Sequence, residues 1–144
     1  MEEKLIPLSH FDELPESTVG HDVLRYVSMP SFLGQEKDSI LYFIGRNLAR
    51  QINIEKLEDL YFLFDKFRWG SLELVKDRRR TLTFHLMSDD VAARMVSPFQ
   101  VDYRIEAGFI AEAIETITQR SCECIESINE RLYRVQFKVT YTDG

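Results

Sequence analysis

The sequence predicts an α+β domain in which an antiparallel sheet of about four strands packs against a layer of helices. Three observations carry that expectation. Between Ile105 and Ile117, apolar residues fall at Ala107, Ile110, Ala111, Ile114 and Ile117, the spacing of one helical face. After Gly70 the period drops to two: Leu72 and Leu74, then Leu82, Phe84 and Leu86, and near the end Val135, Phe137, Val139 and Tyr141. Helical and strand patterns also lie in separate blocks, which implies α+β rather than alternating α/β construction. A chain of 144 residues is one domain by length and large enough to fold without disulfides or metal.

Residues 1–17, with Pro7, Pro15 and little periodicity, read as a loosely docked N-terminal arm, and residues 18–144 as the domain. Ser17 or Thr18 caps a helix from about Thr18 to Ser28, with Val19, Val23, Leu24 and Val27 as its apolar stripe. Pro30 is expected to end it, because a proline disfavours the α conformation of the residue before it. The next helix spans about Lys37 to Gln51, and its expected buried stripe is Ile40, Phe43, Ile44, Leu48 and Gln51 or Ile52. Gly45 and Ala49, four apart, form a small-residue face that lets another helix come close. A third helix, about Ile54 to Phe67, carries the aromatic stripe Leu57, Leu60, Tyr61, Phe64 and Phe67. Trp69-Gly70 breaks it.

The two strands after Gly70 flank Asp77-Arg78-Arg79-Arg80 and read as an antiparallel hairpin. Ser88 caps a short helix over Asp89 to Met95. In the helix from Ile105, Glu106, Glu112 and Glu115 are expected on the solvated face. Gly108 costs about 1 kcal/mol relative to alanine there, which points to close approach of a backbone or ligand or, equally, to a tolerated accident. Ser121 to Ile128 fits a strand with Cys122 and Cys124 on one face, and also fits a helical continuation through Ile117, Ser121, Cys124, Ile128 and Leu132. The strand is favoured.

A net charge of −6 argues against general nucleic-acid binding, which usually shows a basic excess. The start of the chain lacks the pattern of a secretory signal, and no stretch has the length of a membrane span. A cytoplasmic protein is expected. Cys122 and Cys124 with the scattered His10, His21 and His85 do not make a zinc ligand set, so no metal or cofactor is expected, and the thiols read as buried small hydrophobes. Lys76 and Arg78 to Arg80 are the one dense basic cluster, read as a solvated hairpin tip that protects the sheet edge, with an anionic partner such as RNA or a phospholipid headgroup as the functional alternative. No phosphate loop, nucleophile elbow or metal motif is present, so no catalytic residues are assigned and a non-enzymatic domain is expected. Arg46 is read as paired to Glu106 or Glu112, with a carboxylate anchor as the functional alternative. Pocket or helix-packing candidates are Gly45, Arg46, Ala49, Phe64, Trp69, Phe84, Gly108 and Phe109. Leu41 and Val23 are expected as exposed apolar positions for a homodimer contact.

Three phrases, FLGQEKDSILYFIGRNLAR (Phe32 to Arg50), FRWGSLELV (Phe67 to Val75) and IEAGFIAEAI (Ile105 to Ile114), resemble the YslB-like family of uncharacterised proteins from Gram-positive bacteria. That family is similar in fold to a superfamily with the TRAPP Bet-type tethering subunits, the vinyl-reductase-type domain and, more distantly, the haem domain of nitric-oxide sensors. The resemblance, from about Val19 to Tyr141, implies a TRAPP-like fold, a homodimer formed through helices, and an apolar ligand such as an acyl chain held between helices and sheet. It implies no catalytic set. The acylated cysteine of the tethering subunits has no match before the hairpin, and the sensors' haem ligand cannot be placed.

Overall fold

The computed structural model describes residues 5–143. Its elements run α1 (Val19–Val23), a π-helical turn (Leu24–Ser28), α2 (Met29–Leu33), α3 (Lys37–Arg50), α4 (Leu57–Lys66), β1 (Ser71–Asp77), β2 (Thr81–Met87), α5 (Asp89–Val96), α6 (Arg104–Thr118), β3 (Cys122–Asn129) and β4 (Arg134–Tyr141). The four strands form one antiparallel sheet in the order β1-β2-β4-β3, so β1 and β3 are its edges. The helices pack on one face, and the α+β class expected from the alternating periods is the one observed.

Local chemistry explains several boundaries. The Ser88 hydroxyl accepts from the Val91 N–H at 3.0 Å, an N-cap for α5. The Asp59 carboxylate accepts from the Lys56 N–H at 3.2 Å and closes the start of α4. After α4 the chain reverses through positive φ at Arg68 (59°) and Gly70 (135°), which folds Trp69 back so that its N–H reaches the Phe64 carbonyl at 2.9 Å. Ser121 to Ile128 resolves as strand: β3 pairs with β4 without a register break from Cys122 to Asn129.

The inner face of the sheet supplies Leu72, Leu82, Phe84, Leu86, Val135, Phe137 and Val139, and the helices supply Leu60, Phe64, Ala107, Phe109, Ile110, Ala111 and Ile114, all buried. Burying a side chain of this size is worth roughly 1.5–3 kcal/mol, so this interlayer is the main source of stability.

Several expectations are corrected. Pro30 does not end the first helix: Met29 keeps the α conformation (φ −62°, ψ −45°) and α2 continues through Pro30. The π turn just before it widens the coil where the proline ring would otherwise meet the carbonyl of Tyr26. The buried face of residues 19–28 is not the valine stripe but Asp22, Arg25 and Tyr26, while Leu24 is 63% exposed. On α3 the buried face is Leu41, Tyr42, Gly45, Arg46 and Ala49, and Ile40, Phe43 and Ile44 face outward. Leu41, expected at the surface, is fully buried. The physical reason is Gly45: the close crossing with α6 requires the small face of α3 to turn inward, and that rotates Phe43 out. Glu106, finally, is buried rather than solvated, paired to Arg25. The segment expected as a loose arm forms a 3₁₀ turn over Leu8–Glu13 and buries Leu14, with the Phe11 ring stacked on Phe99 at 5.6 Å.

Candidate functional site

Three of the eight candidate residues meet at the crossing of α3 and α6. An alanine methyl at Gly45 would stand 2.8 Å from the Phe109 nitrogen, and one at Gly108 would stand 3.1 Å from the Arg46 nitrogen. The two glycines are therefore apposed backbone to backbone. Ala49, one turn on, is buried in the same core. This crossing holds no space for a guest; it is a helix-packing site.

Arg46 leaves that crossing toward β3. Its guanidinium donates to Glu112 at 3.1 Å and to the Cys122 carbonyl at 2.6 Å, and Glu115 and Glu123 lie at 3.4 and 3.3 Å. Of the two partners expected, Glu112 is the one found. Burial works against the charge, but the Tyr42 phenol, Glu112 and Glu123 outweigh it and hold the guanidinium above its ordinary range. The Tyr42 hydroxyl donates to Glu123 at 2.5 Å and accepts from the Cys124 N–H at 3.1 Å. Burial, and then the hydrogen bond to Glu123, raise the Tyr42 phenol. Arg46 is thus committed to tying α3, α6 and the β3 edge together, with its charge already answered by three carboxylates.

Phe64, Trp69 and Phe109 do come together, and Phe67 joins them. Trp69 lies edge-on to Phe67, Phe64 and Phe109 at centroid distances of 5.0, 5.1 and 5.3 Å, within the range where aromatic pairs attract. Phe67 is only partly buried, so the cluster reaches the surface through it. Phe84 is fully buried on β2 and makes none of these ring contacts. Phe64, Phe84 and Phe109 fill the seam between helices and sheet. Surface hollows lie elsewhere, one of about 320 Å³ beside the start of α6 and one of about 210 Å³ beside Tyr42 and Cys124.

Sequence reasoning missed a second polar cluster. Arg25 makes a bidentate pair with Glu106 and also reaches the Asp102 carbonyl at 3.2 Å. Nearby, Arg94 donates to Asp22 at 3.0 Å and to the Thr18 hydroxyl at 2.9 Å. Burial disfavours the Asp22 charge, but His21 and Arg94 overcome it and hold the carboxyl below its usual value. The one local signal was charged residues placed among valines at Asp22 and Arg25. Their partners are more than 70 positions away, where no periodicity reaches.

Cys122 and Cys124 are both buried. The Cys122 thiol faces the Ala111 carbonyl at 3.3 Å; burial, then Glu115, push it up to about 12. Burial raises Cys124 well above the ordinary thiol value. Neither is an activated nucleophile. Among the described residues no three His, Cys, Asp or Glu side chains are grouped to hold a metal, and no helix is long and apolar enough to cross a membrane.

A family model described as a protein of unknown function (DUF2507) matches residues 18–140. The uncharacterized protein YslB of Bacillus subtilis is 27% identical over 134 residues, covering 93% of this chain and 90% of that one. The uncharacterized protein MJ1642 of Methanocaldococcus jannaschii is 22% identical over 106 residues, covering 73% of this chain and 64% of its own. Among solved structures, a vinyl-4-reductase family protein of Methanocaldococcus jannaschii aligns with a TM-score of 0.60 at 20% identity, covering 99% of this chain and 85% of that one. An Fe(II) unliganded H-NOX protein mutant from K. algicida aligns with a TM-score of 0.50 at 14% identity, covering 80% and 68%.

Proposed function

From the premise that this chain belongs to the family described as protein of unknown function (DUF2507), we propose that it is a non-enzymatic, cytoplasmic binding domain for a hydrophobic small molecule or acyl chain. The ligand inserts between the helix layer and the sheet at the aromatic end of the seam. The observation that carries this reading is the cluster of Phe64, Phe67, Trp69 and Phe109. Its rings pack edge to face, and Phe67 connects them to solvent. Because Phe64 and Phe109 are fully buried, entry requires Phe67 and Trp69 to swing aside, and an apolar chain replaces the ring contacts it breaks. The fold shared with a vinyl-4-reductase family protein and an H-NOX protein supports the reading.

Trp69 is the single tryptophan of the chain, so its emission reports on this cluster alone. Titration with a sixteen-carbon fatty acid below its micelle concentration is expected to shift that emission. Native mass spectrometry should then show a matching adduct that denaturation removes. Unchanged emission together with an unadducted native mass rejects the reading.

A second reading, a homodimeric assembly module, is favoured by the outward stripe of α3. Ile40, Phe43 and Ile44 stand 36%, 64% and 39% exposed, and Phe32 of α2 is 93% exposed. A two-fold contact would place this stripe against its own copy. Sedimentation of the wild type against Phe43→Asp tests it: a dimer that the substitution dissociates supports the module, and a wild-type monomer at every concentration rejects it.

A further inference from the structure

β3 is an edge strand, and its two halves are treated differently. In the first half three of the four outward backbone groups are covered: the Cys122 N–H donates to Glu115 at 3.0 Å, the Cys122 carbonyl accepts from Arg46, and the Cys124 N–H donates to the Tyr42 hydroxyl. The register with β4 is unbroken, so the period of two turns the N–H and C=O of Glu126 and Ile128 outward as well. These have no hydrogen-bond partner among the described residues. An open edge of this kind is a template for another strand, and proteins normally blunt it. Here helix side chains blunt one half and leave the other bare, with Ile125 exposed beside it.

The bare half borders the hollow of about 320 Å³, which Glu126 and Ile128 line together with Lys37, Asp38, Asp102 and Arg104. Three of those lining residues are acids against two bases. Arg104 is already bound to Glu126 at 2.8 Å, and the one Lys37 ammonium is shared at 3.8 Å between Asp38, which is largely exposed, and the Asp102 Oδ2 atom, which is buried without a hydrogen bond. The whole chain carries a net −6.

We propose that the segment from Glu126 to Asn129 is a docking edge for an extended segment of a partner protein that carries a lysine or arginine. The segment adds as a fifth strand over roughly 13 Å, at about 3.3 Å per residue, and its basic side chain enters the hollow toward Asp102 and Asp38. Main-chain hydrogen bonds supply affinity and the side-chain hollow supplies selectivity. A second copy is the poorer occupant, because two chains of net −6 repel and β3 against β3 sets acid near acid.

The test is selection of a phage-displayed random heptapeptide library on the full chain, with counter-selection on Ile128→Pro. Proline removes the N–H of that position, and edge positions tolerate it. Enriched peptides are expected to carry lysine or arginine at one fixed position. Binding should fall at least tenfold on Ile128→Pro, and by a similar factor when the peptide's basic residue becomes norleucine. The Glu126 and Ile128 amides of the wild type should become protected from hydrogen exchange when a selected peptide is bound; if Ile128→Pro does not fold, that exchange measurement decides alone. The proposal is overturned by an absence of enrichment, by peptides that bind Ile128→Pro equally, by acidic residues at the fixed position, by unprotected amides, or by a β3-mediated self-dimer.

Discussion

Replacing Gly108 with alanine sets two effects against each other, and the structure decides the sign. Helix propensity alone favours alanine over glycine by about 1 kcal/mol. In the fold, the new methyl would lie 2.8 Å from the Tyr42 carbonyl carbon, nearer still to its oxygen, and 3.1 Å from the Arg46 nitrogen. Ordinary carbon contacts sit near 3.5–4.0 Å, so α3 and α6 must separate by roughly 1 Å. All three neighbours are backbone atoms, which cannot rotate away as a side-chain end would. Overpacking of this kind costs about 1–3 kcal/mol, and the rigid neighbours place it at the upper end. The net expectation is a loss of about 2 kcal/mol, a fall in Tm of about 8 °C at roughly 4 °C per kcal/mol. Gly45→Ala should behave alike, since its methyl would lie 2.8 Å from the Phe109 nitrogen and 2.9 Å from the Ile105 carbonyl carbon. The double variant should cost less than the sum, because one separation relieves both clashes. Gly20→Ala is the control: it lies in α1 with nothing within 4 Å of the added methyl, and should be neutral or stabilised by up to about 1 kcal/mol. Urea and thermal melts followed by circular dichroism read all four. A Gly108→Ala variant as stable as the wild type would refute the backbone-contact argument.

Three further outcomes follow from the buried polar groups. Glu106→Gln leaves Arg25 underpaired and should cost about 3 kcal/mol, whereas Arg25→Met with Glu106→Leu should recover most of it; equal urea midpoints for wild type and single variant would contradict the pair's role. Asp22 has a folded-state pKa below its ordinary 3.8, so its contribution is present above that value and lost as pH falls through the lowered one. The urea midpoint should drop between pH 6 and pH 3 by less in Asp22→Asn than in the wild type. With Cys122 pushed up to about 12 and Cys124 raised well above the usual thiol value, both thiols should resist a disulfide reagent at pH 8 in the native chain and react promptly in urea; equal rates would show that they are not sequestered.

The sequence by itself determined the fold class, the hairpin, the aromatic stripe of α4, the strand β4 and the Ser88 cap, because each is written in a local period or a short-range hydrogen bond. At Gly108 it left close approach and a tolerated accident equally open, and only the apposed α3 backbone decided between them. Tertiary structure alone decided which way α3 faces. Ile40, Phe43 and Ile44 form as good a helical stripe as the face that is buried, and only the partner glycine 63 positions away selects the small-residue side. It likewise decided the fate of Arg25, Asp22 and Glu106. A charge becomes a core residue when an opposite charge arrives from another element, and that meeting is a property of the assembled layers. The exposed edge of β3 is of the same kind, because strand order is set by pairing across the sheet and not by the residues of the strand.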